Sequence, residues 1–345
     1  MIGLPVAFKG APGSPYTRKM AALLRYRRIP YRYLVGSAAD KAGMPKPKVE
    51  LLPTFYLPDA NGDLEAVTDS TPLIRRFEKE FAGRNVLPPD PLLALIDALL
   101  EDFADEWLTK AMFHYRWVFA DAIEKASAIL PTQFVGVTAN QDVLDAMQTQ
   151  FAQRQISRLA VVGSNEHTAD IIESGYKRLV DLLDAHLQTQ PFLMGQRPGA
   201  SDFALYGQLT QLAHFDPVSM ALTLERSRRV FAWVELVEDL SGLEPSDADW
   251  APSDALAPTL LALLGELSQG YVPVLLANAR ALAQGEKHMS ADLPSGRWQQ
   301  AVVPYQAKCL RWLREQFAAL DTKTYARAAE IFEANGLSKL FYAPI

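Results

Sequence analysis

The chain has 345 residues, 49% of them apolar, and a formal net charge of -6, with a pI of about 5.5. That length exceeds one ordinary core and suits two or three packed modules, and the acidic balance speaks against a nucleic-acid partner. No apolar run reaches the roughly 18 residues that span a bilayer. The opening MIGLPVAFKGAPGSP lacks the charged lead and apolar length of a signal peptide, and no membrane association is expected. A single cysteine, Cys309, excludes an intrachain disulfide and fits a cytoplasmic protein. The zinc, phosphate-loop, dinucleotide and serine-hydrolase motifs are absent and the five histidines lie far apart, so no metal is expected.

PVAFKG (5–10) reads as a short buried strand. Ser14 follows as a candidate helix N-cap, with Pro15 at the first helical position. Tyr16, Met20, Leu23 and Leu24 then form one apolar helical stripe. Arg18, Lys19, Arg25, Arg27 and Arg28 are expected to face water, the last three as a solvated helix end. YRYLV (31–35) reads as a second strand, parallel to the first because a helix joins them. The polar stretch 37–48 suits a short irregular helix or loop. Leu51 to Leu57, a turn containing Asn61-Gly62, and Leu64 to Val67 make a hairpin. Asp69-Ser70-Thr71-Pro72 opens a further helix with Leu73, Phe77 and Phe81 on one face. Pro53 would lie inside a strand and remove a ladder donor; a cis bond between Leu52 and Pro53 explains it.

RNVLPPDP (84–91) reads as a linker, and the chain beyond it as helix: a long stretch from Leu92 to about Ala122, then 142–161, 168–187, 201–215 and 224–240. A second linker lies between Ser241 and Pro258. About four more helices are expected after it, with Pro273 and Pro304 kinking or interrupting them. The units are thus 1–83, 92–240 and 255–345.

This order resembles the glutathione S-transferase family: a thioredoxin-like α/β domain, then an all-helical domain, here with extra C-terminal helices. Ser14-Pro15-Tyr16 resembles the pair that starts helix 1 in serine-type members, which implies that the Ser14 hydroxyl holds the glutathione thiolate. A thiol of pKa near 8.5 is favoured as thiolate by a hydroxyl donor and a helix N-terminus. Ser14 as a plain cap, worth about 1 kcal/mol, is the alternative. Leu52-Pro53 resembles the family's segment before strand 3, whose backbone pairs with the cysteine of the peptide ligand. Asp69-Ser70 resembles the acid or amide and serine that hold the γ-glutamyl end at a helix N-terminus. Asp69 is one methylene shorter than the usual residue, and a capping cluster is the alternative. FLMGQRPGASDFALYGQL (192–209) resembles the helical-domain signature, with Gly199 in place of the usual Ser or Thr cap and Asp202 able to reach back to the cap.

The resemblance covers residues 5–240 and implies glutathione as co-substrate, a small apolar electrophile as acceptor and a homodimer. The acceptor side implicates Tyr16 and the helix holding Trp107, His114 and Trp117, although an aromatic stripe equally suits a core. The reading is a transferase in which Ser14 holds the thiolate. The alternatives are a non-catalytic binding or scaffold module of the same fold and an apolar-ligand carrier.

Overall fold

The computed structural model describes residues 2–345. β1 (Val6–Gly10), α1 (Pro15–Tyr26), β2 (Tyr31–Val35), α2 (Ala38–Lys41), β3 (Thr54–Pro58), β4 (Leu64–Val67) and α3 (Ser70–Glu80) build the first layer. The sheet order is β2-β1-β3-β4, with β1 parallel to β2 and antiparallel to β3. This is the thioredoxin-like arrangement that the order of elements implied. Phe8 stacks on both Tyr33 and Phe55, with ring centroids 4.9 Å apart in each pair. The Leu52–Pro53 bond is cis, and Pro53 precedes β3 rather than lying within it, so no ladder donor is lost.

Of the basic residues of α1 and its end, Arg28 is exposed and Arg18 and Arg25 are half-exposed, but two do not reach water. Lys19 is 1% exposed and Arg27 is buried. Arg27 pairs with Glu78 at 2.7 Å and Arg25 with Glu238 at 2.8 Å, while Arg28 bonds the Ser241 carbonyl at 2.8 Å. These cations fasten α1 to α3 and to the chain around 238–244, whose carbonyls and carboxylates a sequence pattern does not place.

The long helix expected from Leu92 is divided. α4 (Pro91–Asp102) runs into a π-helical segment, Phe103–Leu108, then α5 (Thr109–Trp117); the chain turns at Val118–Phe119 into α6 (Ala120–Val135). α7 (Gln141–Ile156), α8 (Leu159–Val162) and α9 (Ala169–Leu187) follow. α10 (Ala200–Leu209) continues as a π segment, Thr210–Phe215. α11 (Pro217–Arg226) and α12 (Arg228–Val237) are separate because the Ser227 hydroxyl caps α12, accepting from Val230 N at 3.0 Å.

The last hundred residues are not helix alone. α13 (Pro258–Leu267) and α14 (Tyr271–Ala283) lead into a hairpin of β5 (His288–Leu293) and β6 (Gly296–Ala301), then α15 (Pro304–Ala318), α16 (Thr322–Ala334) and α17 (Ser338–Tyr342). The hairpin buries Met289 and Leu293 on one strand and Trp298 and Gln300 on the other, the period of two that marks a strand. Pro273 and Pro304 interrupt nothing: each sits in the first turn of its helix, where a missing N–H is harmless. Contrary to expectation, Pro258–Ala283 has the length and mean hydropathy of a membrane span, 1.5, but it is two helices and most of it is buried within the fold.

Gly199 finds its reason in Asp97. A Cβ at Gly199 would lie 2.2 Å from Asp97 Oδ1. That carboxylate already accepts from Ala200 N at 3.2 Å, Ser201 N at 3.0 Å and Ser201 Oγ at 2.6 Å. Asp97 from α4 thus supplies the acceptor that a capping hydroxyl would have supplied, and Asp202 accepts from Gly199 N at 2.8 Å. Gly199→Ser, which restores the usual cap residue, is therefore expected to lower the unfolding free energy by about 1–3 kcal/mol in denaturant titration.

Candidate functional site

Ser14 N-caps α1, its Oγ accepting from Thr17 N at 3.3 Å and donating to the Leu52 carbonyl at 3.4 Å. The loop leading to it is held from the helical side. Gly13 N donates to Gln133 Oε1 at 2.8 Å, Arg116 Nη1 to Gly13 O at 3.1 Å and Gln211 Nε2 to Pro12 O at 3.3 Å. Arg116 is itself fixed by Asp216 at 2.9 Å, a buried pair.

Beyond Leu52 opens a cavity of about 230 Å³. Leu52, Pro53, Asp69 and Ser70 line one side, and Tyr16 adds a wall from α1. Ser14 borders this space through Leu52 but does not line it. Asp69 holds φ 84°, rare for a residue with a Cβ, and its side chain does not cap α3. Its carboxylate accepts instead from the Tyr305 hydroxyl at 2.8 Å, with Lys308 Nζ at 4.0 Å. Both partners lie on α15, so the C-terminal segment closes the cavity.

The opposite wall is acidic: Asp102, Asp105 and Glu106, from the end of α4 and the π segment, face the same space. A π turn inserts an extra residue into the helix and often marks a functional site. Lys19 lies behind this wall. Its ammonium donates to Asp105 Oδ2 at 2.6 Å, Glu101 Oε1 at 2.8 Å and Ser70 Oγ at 3.2 Å. Burial opposes that charge, but Asp105 and Glu101 hold the ammonium above the ordinary lysine range. One cation serves two carboxylates unequally. For Glu101, Lys19 and Arg75 overcome burial and keep it below the ordinary range, whereas burial pushes Asp105 up to about 7 despite Lys19. Burial also raises Asp102 to about 6 and, reinforced by Asp102 and Asp105, Glu106 to about 8. At neutral pH this wall carries both protons and negative charge.

The structure thus brings Tyr16, Leu52, Pro53, Asp69 and Ser70 to one cavity, with Ser14 at its border. Of the expected acceptor side only Tyr16 is there; Trp107, His114 and Trp117 are not. Trp107 packs on Trp298, centroids 4.8 Å apart. Trp117 is buried with Ala126 and Leu130 in a separate cluster. His114 is buried with Nδ1 2.8 Å from Ser164 Oγ and Nε2 3.4 Å from Glu173, and burial keeps its imidazole below the ordinary range. His114 and Trp117 are core residues, and Trp107 is half-buried against Trp298 of the C-terminal hairpin. The carboxylates ahead of Trp107 carry a signal of their own in the sequence: Glu101/Asp105 and Asp102/Glu106, each pair four apart, mark an acidic helix face.

Comparison with known proteins agrees with this architecture. The glutathione S-transferase N-terminal domain matches residues 9–85 and the glutathione S-transferase C-terminal domain residues 142–236. The chain belongs to the glutathione S-transferase family. The acidic wall and α15 fall outside both matched segments. No curated protein matches. Among solved structures, the chain is similar to FzlA from C. crescentus at 15% identity, over 74% of this chain and 97% of that one, with a TM-score of 0.37.

Removing Lys19 leaves the buried Asp105 without its cation and Glu101 with only Arg75, at 3.5 Å. Lys19→Met is expected to destabilise the fold by about 3–5 kcal/mol near pH 8. Without the ammonium, the folded-state value of Asp105, already above the unfolded one, rises further, and that of Glu101 rises with it. The penalty therefore grows as pH rises past about 4 and shrinks on acidification. Thermal melts at pH 5 and pH 8 check this: the gap from the wild type must be smaller at pH 5.

Proposed function

We propose that the protein binds glutathione at the edge formed by Leu52 and the start of α3, and that Ser14 holds its thiolate for attack on an electrophile. The observation that carries this reading is the convergence of Leu52, Asp69 and Ser70 on one cavity bordered by Ser14. Each group has matching chemistry. The backbone of Leu52, at the cavity wall, suits the ligand's cysteine unit, as an added strand would. The N-terminus of α3, with the Ser70 hydroxyl and the Lys19 ammonium at 3.2 Å, suits the γ-glutamyl carboxylate. Asp69 suits the ammonium beside it. The Ser14 hydroxyl now donates to the Leu52 carbonyl at a long 3.4 Å. A thiolate offers that proton a better acceptor, since hydrogen bonds to ions are roughly twice as strong as neutral ones. The sulfur then attacks the electrophilic carbon as the leaving group departs.

A second reading, a binding module of this fold without chemistry, is favoured by one observation. The Tyr305 hydroxyl and Lys308 already occupy the Asp69 carboxylate, so a ligand's ammonium must compete with α15.

Calorimetric titration with glutathione separates these readings from failure of both. The expected result is saturable binding, weakened about tenfold or more by Ser70→Ala, which removes a hydrogen bond to a charged group worth about 1.5–3 kcal/mol. Ser14→Ala should leave that affinity within about threefold while lowering turnover with model electrophiles by about a hundredfold, the scale of one lost oxyanion-type donor. Binding with no turnover in either protein would leave the binding module. The absence of binding at millimolar glutathione would remove the thiol site altogether.

A further inference from the structure

We propose that Tyr305 is a gate on the cavity: its hydroxyl holds the Asp69 carboxylate in place of a ligand's ammonium, its ring shields Cys309, and a ligand binds by displacing it. The proposal concerns the regulation of the thiol site, and rests on that reading only for the identity of the ligand.

Asp69 is turned toward α15 rather than toward its own helix. It precedes α3, yet its side chain caps nothing there, and its backbone holds φ 84°. Its Oδ2 accepts from the Tyr305 hydroxyl at 2.8 Å, with Lys308 Nζ at 4.0 Å. Among the described residues, this hydrogen bond and this ion pair are the only ones that join α15 to the sheet layer. Farther along, a groove of about 620 Å³ separates α3 from α15, with Arg75 and Lys79 on one side and Trp312 and Gln316 on the other. Thr71 borders both this groove and the cavity, so the two spaces meet beside the Tyr305–Asp69 bond.

The moving part is the Tyr305 side chain. The backbone just ahead of α15 is pinned, because Asn278 of α14 donates to the Val303 carbonyl at 2.9 Å and accepts from Val303 N at 2.7 Å. Lys308 holds Asp69 only weakly. Its ammonium lies over the Trp312 and Tyr305 rings, 4.3 and 5.4 Å from their centroids, and its side chain is 43% exposed, where an ion pair is worth little. The hydroxyl is therefore the main hold on Asp69. It brings a hydrogen bond and no charge, whereas a ligand's ammonium brings both to the same oxygen.

The chain's one cysteine reports on this gate. Cys309 lies one turn beyond Tyr305 on the same face of α15. It lines the same cavity and is 3% exposed. Its alkylation follows movement of the ring without any ligand being present.

The test uses the full chain. Alkylation of Cys309 by iodoacetamide near pH 8 is timed by intact mass, and glutathione is titrated calorimetrically, in the wild type and in Tyr305→Phe. The expected result, in a variant with native melting temperature, is alkylation about tenfold faster and glutathione binding about tenfold tighter, the scale of one hydrogen bond to a charged group. Tyr305→Ala, which removes the ring as well, should be alkylated faster still. Unchanged alkylation in both variants would overturn the gate. So would faster alkylation with glutathione bound no more tightly, since a hydroxyl that only braces α15 gives that pattern. If neither protein binds millimolar glutathione but alkylation rises as expected, the thiol reading falls and the gate stands. If both bind glutathione alike and are alkylated alike, the gate falls and the thiol reading stands.

Discussion

The buried ammonium of Lys19 is the constraint on which the rest of the site depends. It joins α1, the first turn of α3 and the acidic face that continues α4, three elements far apart in the chain. A lysine only 1% exposed must keep all of these partners, because losing one leaves an uncompensated charge in a low-dielectric interior. The sheet layer and the helices are thereby held in one relative position. Helix packing works to the same end: a Cβ on Gly207 of α10 would lie 2.5 Å from the Pro15 carbonyl, so only glycine lets α10 come this close to the start of α1. The Ser14 loop is fixed by the same logic, since Arg116 and Gln211 hold its carbonyls from the helical side.

With the two layers fixed, the C-terminal segment decides what the cavity looks like. α15 lays Tyr305 and Cys309 along its mouth, and the β5–β6 hairpin buries Trp298 against Trp107. The aromatic face that could have lined an apolar acceptor site is consumed as core. What remains open to the cavity from this helix is its acidic face, presented by the π segment. The family's fold is retained, and residues outside the two matched segments supply part of the cavity's lining.

Much of the first layer was legible in the sequence. The strand boundaries of β2 and β4, the cap at Ser14 and the position of Ser70 at a helix start follow from local patterns of turn, cap and period. The long-range facts were not legible in the same way. Lys19 and Arg27 look like solvent-facing residues of an amphipathic helix, and only the tertiary fold supplies the carboxylates that bury them. The β5–β6 hairpin hides between helices because its alternation spans only six residues on each side. Pro273 and Pro304 carry an ambiguous signal, since proline both ends a helix and begins one. Gly199 looks like a lost cap until Asp97, a hundred residues earlier, is seen to replace it.

The central claim is that glutathione lies along the Leu52 backbone with its γ-glutamyl end at the start of α3. Hydrogen–deuterium exchange, followed residue by residue with and without saturating glutathione, tests this most directly. Slower exchange is predicted for the amides of Leu52, Ser70, Thr71 and Leu73, with α7 unchanged. Exchange unaltered at both places, in a protein that stays folded, would contradict the claim.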